Sequence, residues 1–348
     1  MFANRYHPPG TAPGTLTAGA KTDPVFTLIQ YDAATYDERR VERVEDFFDV
    51  RGSGKVNWID LDGLGDLGAL EKLADHFGLH PLALEDVLHA SQRPKIEEYQ
   101  DYFFIVAQVP VWDGAHRIVF EQASLFLGPD FLITIQENPK TDIFSDVRSR
   151  LRSGRGFGRT RGRDYLAYAI LDSIVDHYFP ILEALGETIE NLEDELLARP
   201  RHESLVRMHE VKRALLNIRR NIWPMRDLFN TLIRDESGLI THDTTLFLRD
   251  CYDHTVRLMD VVESYRDLMA SMMDIYLSSI EMRTNEVMRV LTVVSTTFIP
   301  LTLVSGIYGM NFEAIPGTKS PYGFWVCMGG MLFMALSMLA IFRKRKWI

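Results

Sequence analysis

The stretch that decides the fold is Tyr308-Gly309-Met310-Asn311-Phe312-Glu313, because of what stands on either side of it. Residues 290–308 carry no charged side chain, and neither do residues 324–342. Each run is about 19 residues, and at ~1.5 Å per residue such a helix measures roughly 28 Å, close to the ~30 Å hydrocarbon core of a bilayer. Two spans joined by a short loop form a hairpin, so both of its ends lie on one side of the membrane. The chain continues past the second run as Arg343-Lys344-Arg345-Lys346-Trp347-Ile348, and that basic cluster assigns its side to the cytoplasm. The loop at Gly309, Met310 and Asn311 then faces outward. Tyr308, Phe324, Trp325 and Trp347 stand at the ends of the runs, where interfacial aromatics are expected.

Working outward, the rest of the chain has the balance of a water-soluble protein. The 348 residues are 46 % hydrophobic and carry a net charge of −10, with a mean hydropathy of −0.07. The membrane part is therefore a minority. The acidic balance argues against nucleic acid as a partner, since backbone binding needs a basic surface, and it suits a protein that handles cations. Two cysteines, Cys251 and Cys327, make no disulfide framework or thiolate metal site readable. The N-terminal segment has no apolar core of a secretory leader, so no cleaved signal is expected.

Residues 1–23, rich in Pro, Gly, Thr and Ala, read as a disordered or loosely attached arm. Residues 24–162 read as a cytoplasmic α/β domain. Strands are expected over 25–31, 56–61, 102–111, 120–127 and 131–136, and helices over 67–77, 81–89 and 141–151. The segment Ser153-Gly154-Arg155-Gly156-Phe157-Gly158-Arg159-Thr160-Arg161-Gly162 reads as a flexible connector, because no strand–glycine–helix context supports a phosphate cradle. Residues 163–242 read as a long helical hairpin. Its outgoing limb, one helix over 164–199, ends in an acidic tip (Glu187, Glu190, Glu193, Asp194, Glu195). Its returning limb presents Arg207, Lys212, Arg213, Arg219 and Arg220. Such charge runs are usually solvated faces.

Residues 243–309 contain no glycine before Gly306 and no proline but Pro300, which predicts one helix running from the cytoplasm into the first span. Residues 310–323 form the outer loop, and residues 324–348 the second span and basic tail. Steps of about 3.5 residues along the long helix place Asp274, Leu277, Glu281, Asn285, Met288, Thr292, Ser295, Ile299, Thr302 and Gly306 on one stripe. Small hydroxyl residues suit helix contacts in lipid and equally suit the wall of a wet pore. A two-span subunit encloses no pore alone, so a channel requires a cyclic oligomer with these helices on the axis.

The motif Gly309-Met310-Asn311 between C-terminal spans, with Pro300-Leu301-Thr302, Gly306-Ile307-Tyr308 and the terminal basic cluster, resembles the CorA family of divalent-cation channels. The resemblance extends through His80-Pro81-Leu82-Ala83-Leu84-Glu85-Asp86, Gln92-Arg93-Pro94-Lys95, Ile222-Trp223-Pro224, Tyr252-Asp253-His254-Thr255 and Tyr276-Leu277-Ser278-Ser279. It implies a funnel-shaped homopentamer in the inner (plasma) membrane, multi-pass, with both termini cytoplasmic. It implies influx of Mg²⁺, with Co²⁺ and Ni²⁺, through a selectivity filter of Gly309, Met310 and Asn311 with Glu313 at the outer mouth. Asp274 would ring the inner entrance, and Met288, Leu291 and Ile299 would form apolar constrictions. The family's regulatory metal sites fall on Asp86 and Asp250, with Glu85, Asp172 and His254 at a second position. One departure is the segment Pro316-Gly317-Thr318-Lys319, where family members often carry another glutamate. The alternatives are a Zn²⁺ transporter of the ZntB-like branch, which usually varies the residue at Met310, and a membrane-anchored metal sensor that does not conduct. No enzyme motif is present: His209-Glu210 lacks the second histidine of a zinc protease.

Overall fold

The computed structural model describes residue 16 and residues 24–50, 52–89, 92–113, 117–139, 141–154, 156–198, 200–311, 315–317 and 319–347. By its internal contacts the chain divides into two units. One comprises residues 1–194 and 205–270, the other residues 195–204 and 271–348.

The first unit is built on a seven-stranded mixed sheet, β1 (Val25–Tyr31), β2 (Tyr36–Val41), β3 (Val56–Asp62), β4 (Lys95–Glu98), β5 (Phe103–Trp112), β6 (Ile118–Leu127) and β7 (Leu132–Gln136). Its order is β2-β1-β3-β7-β6-β5-β4. Neighbours are antiparallel, except that β3 runs parallel to β7 with Trp58 opposite Leu132 and Asp62 opposite Gln136. The five strands expected from the sequence are present. Two further strands, β2 and β4, lie at the sheet edges. Alternation along β3 sends Ile59 and Leu61 into the main core with Leu73, Phe77, Phe104 and Phe126, while Trp58 and Asp60 are buried on the opposite face.

The main core is closed by a 3-10 helix over Val44–Val50 and by α1 (Leu67–Phe77) and α2 (Pro81–Leu88). Local chemistry sets the limits of α1. Asp66 accepts the Ala69 N–H at its start, and Gly78 ends it at φ 71°, a left-handed position that a β-carbon disfavours. Helix α2 opens on Pro81, whose missing N–H costs nothing in a first turn. Leu16 packs against the same core, so the segment read as a loose arm is attached at that residue. The rest of the arm lies outside the described residues.

On the other face lie α3 (Ser145–Ser153) and α4 (Arg163–Asp176), the latter packed on β3, β5, β6 and β7. The outgoing limb is two helices rather than the single one expected, since α5 (Tyr178–Ala198) begins after a break at His177. Pro180 accounts for the break: it has no N–H to give to the carbonyl of Asp176, and it stands in the first turn of the new helix, where a proline is best accommodated. The returning limb, α6 (His202–Ile233), continues through Pro224. Then α7 (His242–Tyr308) runs unbroken for 67 residues, as the lack of glycine and proline before Pro300 predicts, and it continues through Pro300 itself. Its first part belongs to the first unit and the remainder to the second, which also holds α8 (Gly323–Lys344).

Candidate divalent-cation pathway and metal site

Two helices, α7 and α8, are long and apolar enough to cross a membrane, with hydropathies of 1.9 and 2.0 over their most apolar windows. Only 6 % and 0 % of those windows is buried. An apolar surface left bare in this way is not a soluble core, and a bilayer or further copies of the chain must cover it.

Within this second unit, α7 has two distinct sides. Val293 and Thr297 are its buried residues in the apolar part, and Val304 and Tyr308 share a groove with Val326 and Gly330 of α8. On the opposite side, at 100° per residue, lie Asp274, Leu277, Glu281, Asn285, Met288, Thr292, Ile299, Thr302 and Gly306, all exposed, with Ser295 half-buried among them. Leu291, beside this stripe, is exposed too. An open apolar groove of about 520 Å³ runs along Ile299, Thr302, Gly306 and Met310. The hydroxyls of Thr292 and Thr302 donate to the carbonyls of Met288 and Phe298, at 2.7 and 2.8 Å. Their protons are used within the helix, and their oxygen lone pairs remain available as acceptors.

The helix ends at Tyr308. Gly309 N–H still bonds to the Ser305 carbonyl at 2.9 Å, and Met310 N–H bonds to Ile307 at 3.3 Å in a tighter last turn. A β-carbon on Gly309 would sit 3.2 Å from the Ser305 oxygen. Asn311 follows as exposed, non-helical chain. Glu313 lies outside the described residues.

In the first unit, Asp172 and Asp176 stand one turn apart on α4 and meet His254 of α7, with one ligand atom of each within 4.8 Å of the others. Cys251 Sγ lies 3.4 Å from Asp172, Asp250 lies 3.9 Å from the His254 ring, and Phe179 packs edge-on against that ring. His254 Nδ1 is buried without a hydrogen-bond partner. Burial, and then repulsion from Asp176, raises the Asp172 carboxyl above its ordinary range. Two carboxylates and an imidazole held together at such a cost form a donor set suited to a divalent ion. The sequence reading named Asp172, His254 and Asp250 but missed Asp176; its four-residue spacing from Asp172 on a helix was the available signal.

Glu85 and Asp86 do not join this group. Asp86 is engaged within its own unit by Lys95 Nζ at 2.5 Å and by Gln92 Nε2 at 2.6 Å. The Gly/Arg segment, read as a flexible connector, is folded around its arginines. Arg159 donates to the carbonyls of Leu151 and Arg152 at the end of α3, and Arg161 stacks on Phe157, Tyr165 and Phe247 while pairing with Asp243.

Residues 53–344 match a family model described as CorA-like Mg²⁺ transporter protein. The chain belongs to this family. It is 39 % identical over 342 residues to the cobalt/magnesium transport protein CorA of Thermotoga maritima, covering 97 % of each chain. A second CorA, from Methanocaldococcus jannaschii, is 30 % identical over 300 residues, 84 % of this chain and 92 % of that protein. Among solved structures, the complete CorA magnesium transporter of M. jannaschii superimposes with a TM-score of 0.78 at 25 % identity, over 96 % of this chain and 100 % of that one. The cytoplasmic domain of ZntB from Vibrio parahaemolyticus reaches a TM-score of 0.56 at 16 % identity, a likeness of fold alone. CorA-like architecture, with a soluble α/β unit, long helices and two C-terminal apolar helices, is thus common to this chain and its relatives.

Proposed function

We propose that this CorA-like protein is a Mg²⁺ channel that also passes Co²⁺ and Ni²⁺, and that it works as a homopentamer in the inner membrane with both termini in the cytoplasm. The observation that carries this reading is the bare stripe of α7 that ends at Gly309-Met310-Asn311. One side of the helix is turned to α8, and the other presents oxygen-bearing residues among Leu277, Met288 and Ile299, with no described residue covering them. Five copies around an axis would turn each stripe residue into a ring.

The chemistry suits the cargo. Mg²⁺ gives up its water reluctantly, so a ring of Asn311 amide oxygens that hydrogen-bonds the hydrated ion can select it and still release it. A carboxylate ring in that place would hold the ion too long. Glu313, two positions further along the sequence, would raise the local cation concentration, less than a pair of glutamates would. The membrane potential contributes ~2.3 kcal/mol per charge per 100 mV, hence about 4.6 for a divalent ion, and no ATP site is required.

Closure is assigned to cytoplasmic Mg²⁺. Asp86 and Asp250 on neighbouring subunits form one regulatory site; Asp172 and His254, with Asp176 added and Glu85 supplied by a neighbouring subunit, form the other. Bound metal offsets the repulsion among these acids and holds the subunits in the closed arrangement. Metal loss then shifts the population toward an open pore past Met288, Leu291 and Ile299.

The test is flux into sealed proteoliposomes, comparing Mg²⁺, Co²⁺ and Zn²⁺ for the natural protein and Asn311→Ala. Entry of Mg²⁺ down its gradient, suppressed by internal Mg²⁺ and lost in the variant, is the expected result. Zn²⁺ entry that requires a proton gradient, with little Mg²⁺ entry, would transfer the protein to the zinc branch. No flux from inserted, assembled protein would leave a sensor that does not conduct.

A further inference from the structure

The first unit contains a cavity that transport does not use. It measures about 210 Å³ and lies between α3, α4, the end of β1 and the Gly/Arg segment. Leu151, Leu166 and Ala169 give it aliphatic walls, and Gly156, Phe157 and Gly158 form its roof. The roof is fixed by the Arg159 bonds to the end of α3 and by the stacked Arg161. An apolar cavity of about 150 Å³ accepts benzene, so the space suffices for a small ring or a short chain.

Its polar groups are few and of one kind. Tyr31 lines it, is wholly buried, and has a hydroxyl with no hydrogen-bond partner. A buried polar group in that state is costly, and a bound acceptor would relieve it. Tyr165 and Arg150 also line the space. The Arg150 guanidinium makes one long contact, 3.5 Å to the Ala169 carbonyl, and among the described residues no carboxylate pairs with it. Among the described residues no acidic side chain lines the cavity, although the Asp164 charge reaches the Tyr31 hydroxyl and the Arg150 charge reaches the Asp172 carboxyl. Water could answer the tyrosine alone, but an exposed guanidinium at the edge of apolar walls, with no carboxylate paired to it among the described residues, suits an anion with an apolar body.

We infer that this cavity is a binding site for a small monocarboxylate with an aromatic or short aliphatic body, its carboxylate held by Arg150 and the two tyrosine hydroxyls. The inference is independent of the ion-transport reading, since it stands on walls and donors that lie outside the apolar helices. The same α4 that supplies Leu166 and Ala169 carries Asp172 and Asp176, so an occupant would touch the helix of the metal cluster.

The experiment is fluorine NMR of fluorobenzoate with the full-length protein in nanodiscs, empty nanodiscs serving as blank. Saturable line broadening is expected, reversed by benzoate and not by benzamide or benzylamine. Arg150→Gln and Tyr31→Phe, which keep the packing, should each weaken binding about tenfold. Ala169→Leu fills the cavity and should abolish binding at an unchanged melting temperature. The proposal is overturned by the absence of saturable broadening. It is equally overturned by competition from benzamide as strong as that from benzoate, or by unaltered binding in both Arg150→Gln and Tyr31→Phe. Those two variants decide the matter if Ala169→Leu fails to fold.

Discussion

Asp62 shows how a single residue at a strand end sets a pH dependence. It closes β3, accepts a hydrogen bond from Gln136, and stands near Asp60, which is buried beneath it. Burial, and then the Asp60 charge, pushes its carboxyl up from the ordinary 3.8 to about 7. Between those values the unfolded chain has released its proton while the folded protein keeps it, so stability falls as pH rises through this window and levels off above it. Asp62→Asn removes that loss. Its melting temperature should exceed that of the natural protein by about 3 °C near pH 8, the difference vanishing near pH 4. A constant difference across that range would show that Asp62 does not titrate there. Asp176 carries the second prediction at this scale. Added Co²⁺ should raise the melting temperature, and Asp176→Asn should require about tenfold more metal for the same rise. An identical titration would remove Asp176 from the site. The family pattern pointed to Asp172, Asp250 and His254 and passed over Asp176; its spacing from Asp172 was in the sequence, but the distant histidine that gives the pair its meaning is brought in only by the fold.

At the scale of elements, α3 is tied to the sheet by one buried arginine. Arg148 reaches Asp60 on β3 and Asp142 in the preceding loop, and lies over the Trp58 ring, whose Nε1 donates to Thr134. Arg148→Met would leave the Asp60 carboxylate buried without its partner. The expected cost is about 3–5 kcal/mol, a melting-temperature drop on the order of 10 °C, with partial recovery when Asp60→Leu is added. No recovery in the double variant would mean that the arginine acts by packing alone. The same elements show what patterning can and cannot reveal. Helix α1 was readable from its periodicity and Gly78, and α7 from its lack of glycine and proline before Pro300. Strand β2 was not, because Tyr36-Asp37-Glu38-Arg39-Arg40-Val41 is mostly charged; it pairs with β1 alone at an edge, where outward charge discourages further pairing. The break at His177 was missed because Pro180 acts on a carbonyl four residues earlier, inside a pattern that otherwise stays helical. The Gly/Arg segment was misjudged for a related reason: glycine content reports backbone freedom, and the arginine bonds that remove it are tertiary.

For the whole molecule, the bare side of α7 makes assembly an expectation that chemistry can check. In a Cys327→Ser background, Thr302→Cys on the free stripe should form disulfides between copies under mild oxidation, while Val293→Cys on the covered side should not. Equal cross-linking at both positions would sink the idea that the stripe faces an axis. One further consequence follows from the threonines of that stripe. Thr292 and Thr302 have spent their hydroxyl protons on their own helix, so the wall they form offers lone pairs and no donors. Along the threonines a chloride ion would find no donor to replace its hydration, whereas a cation's water shell would find acceptors there. Sign discrimination would then be spread along the bore instead of resting on Asn311 alone. Under a chloride gradient, the reversal potential of Asn311→Ala should still track the cation.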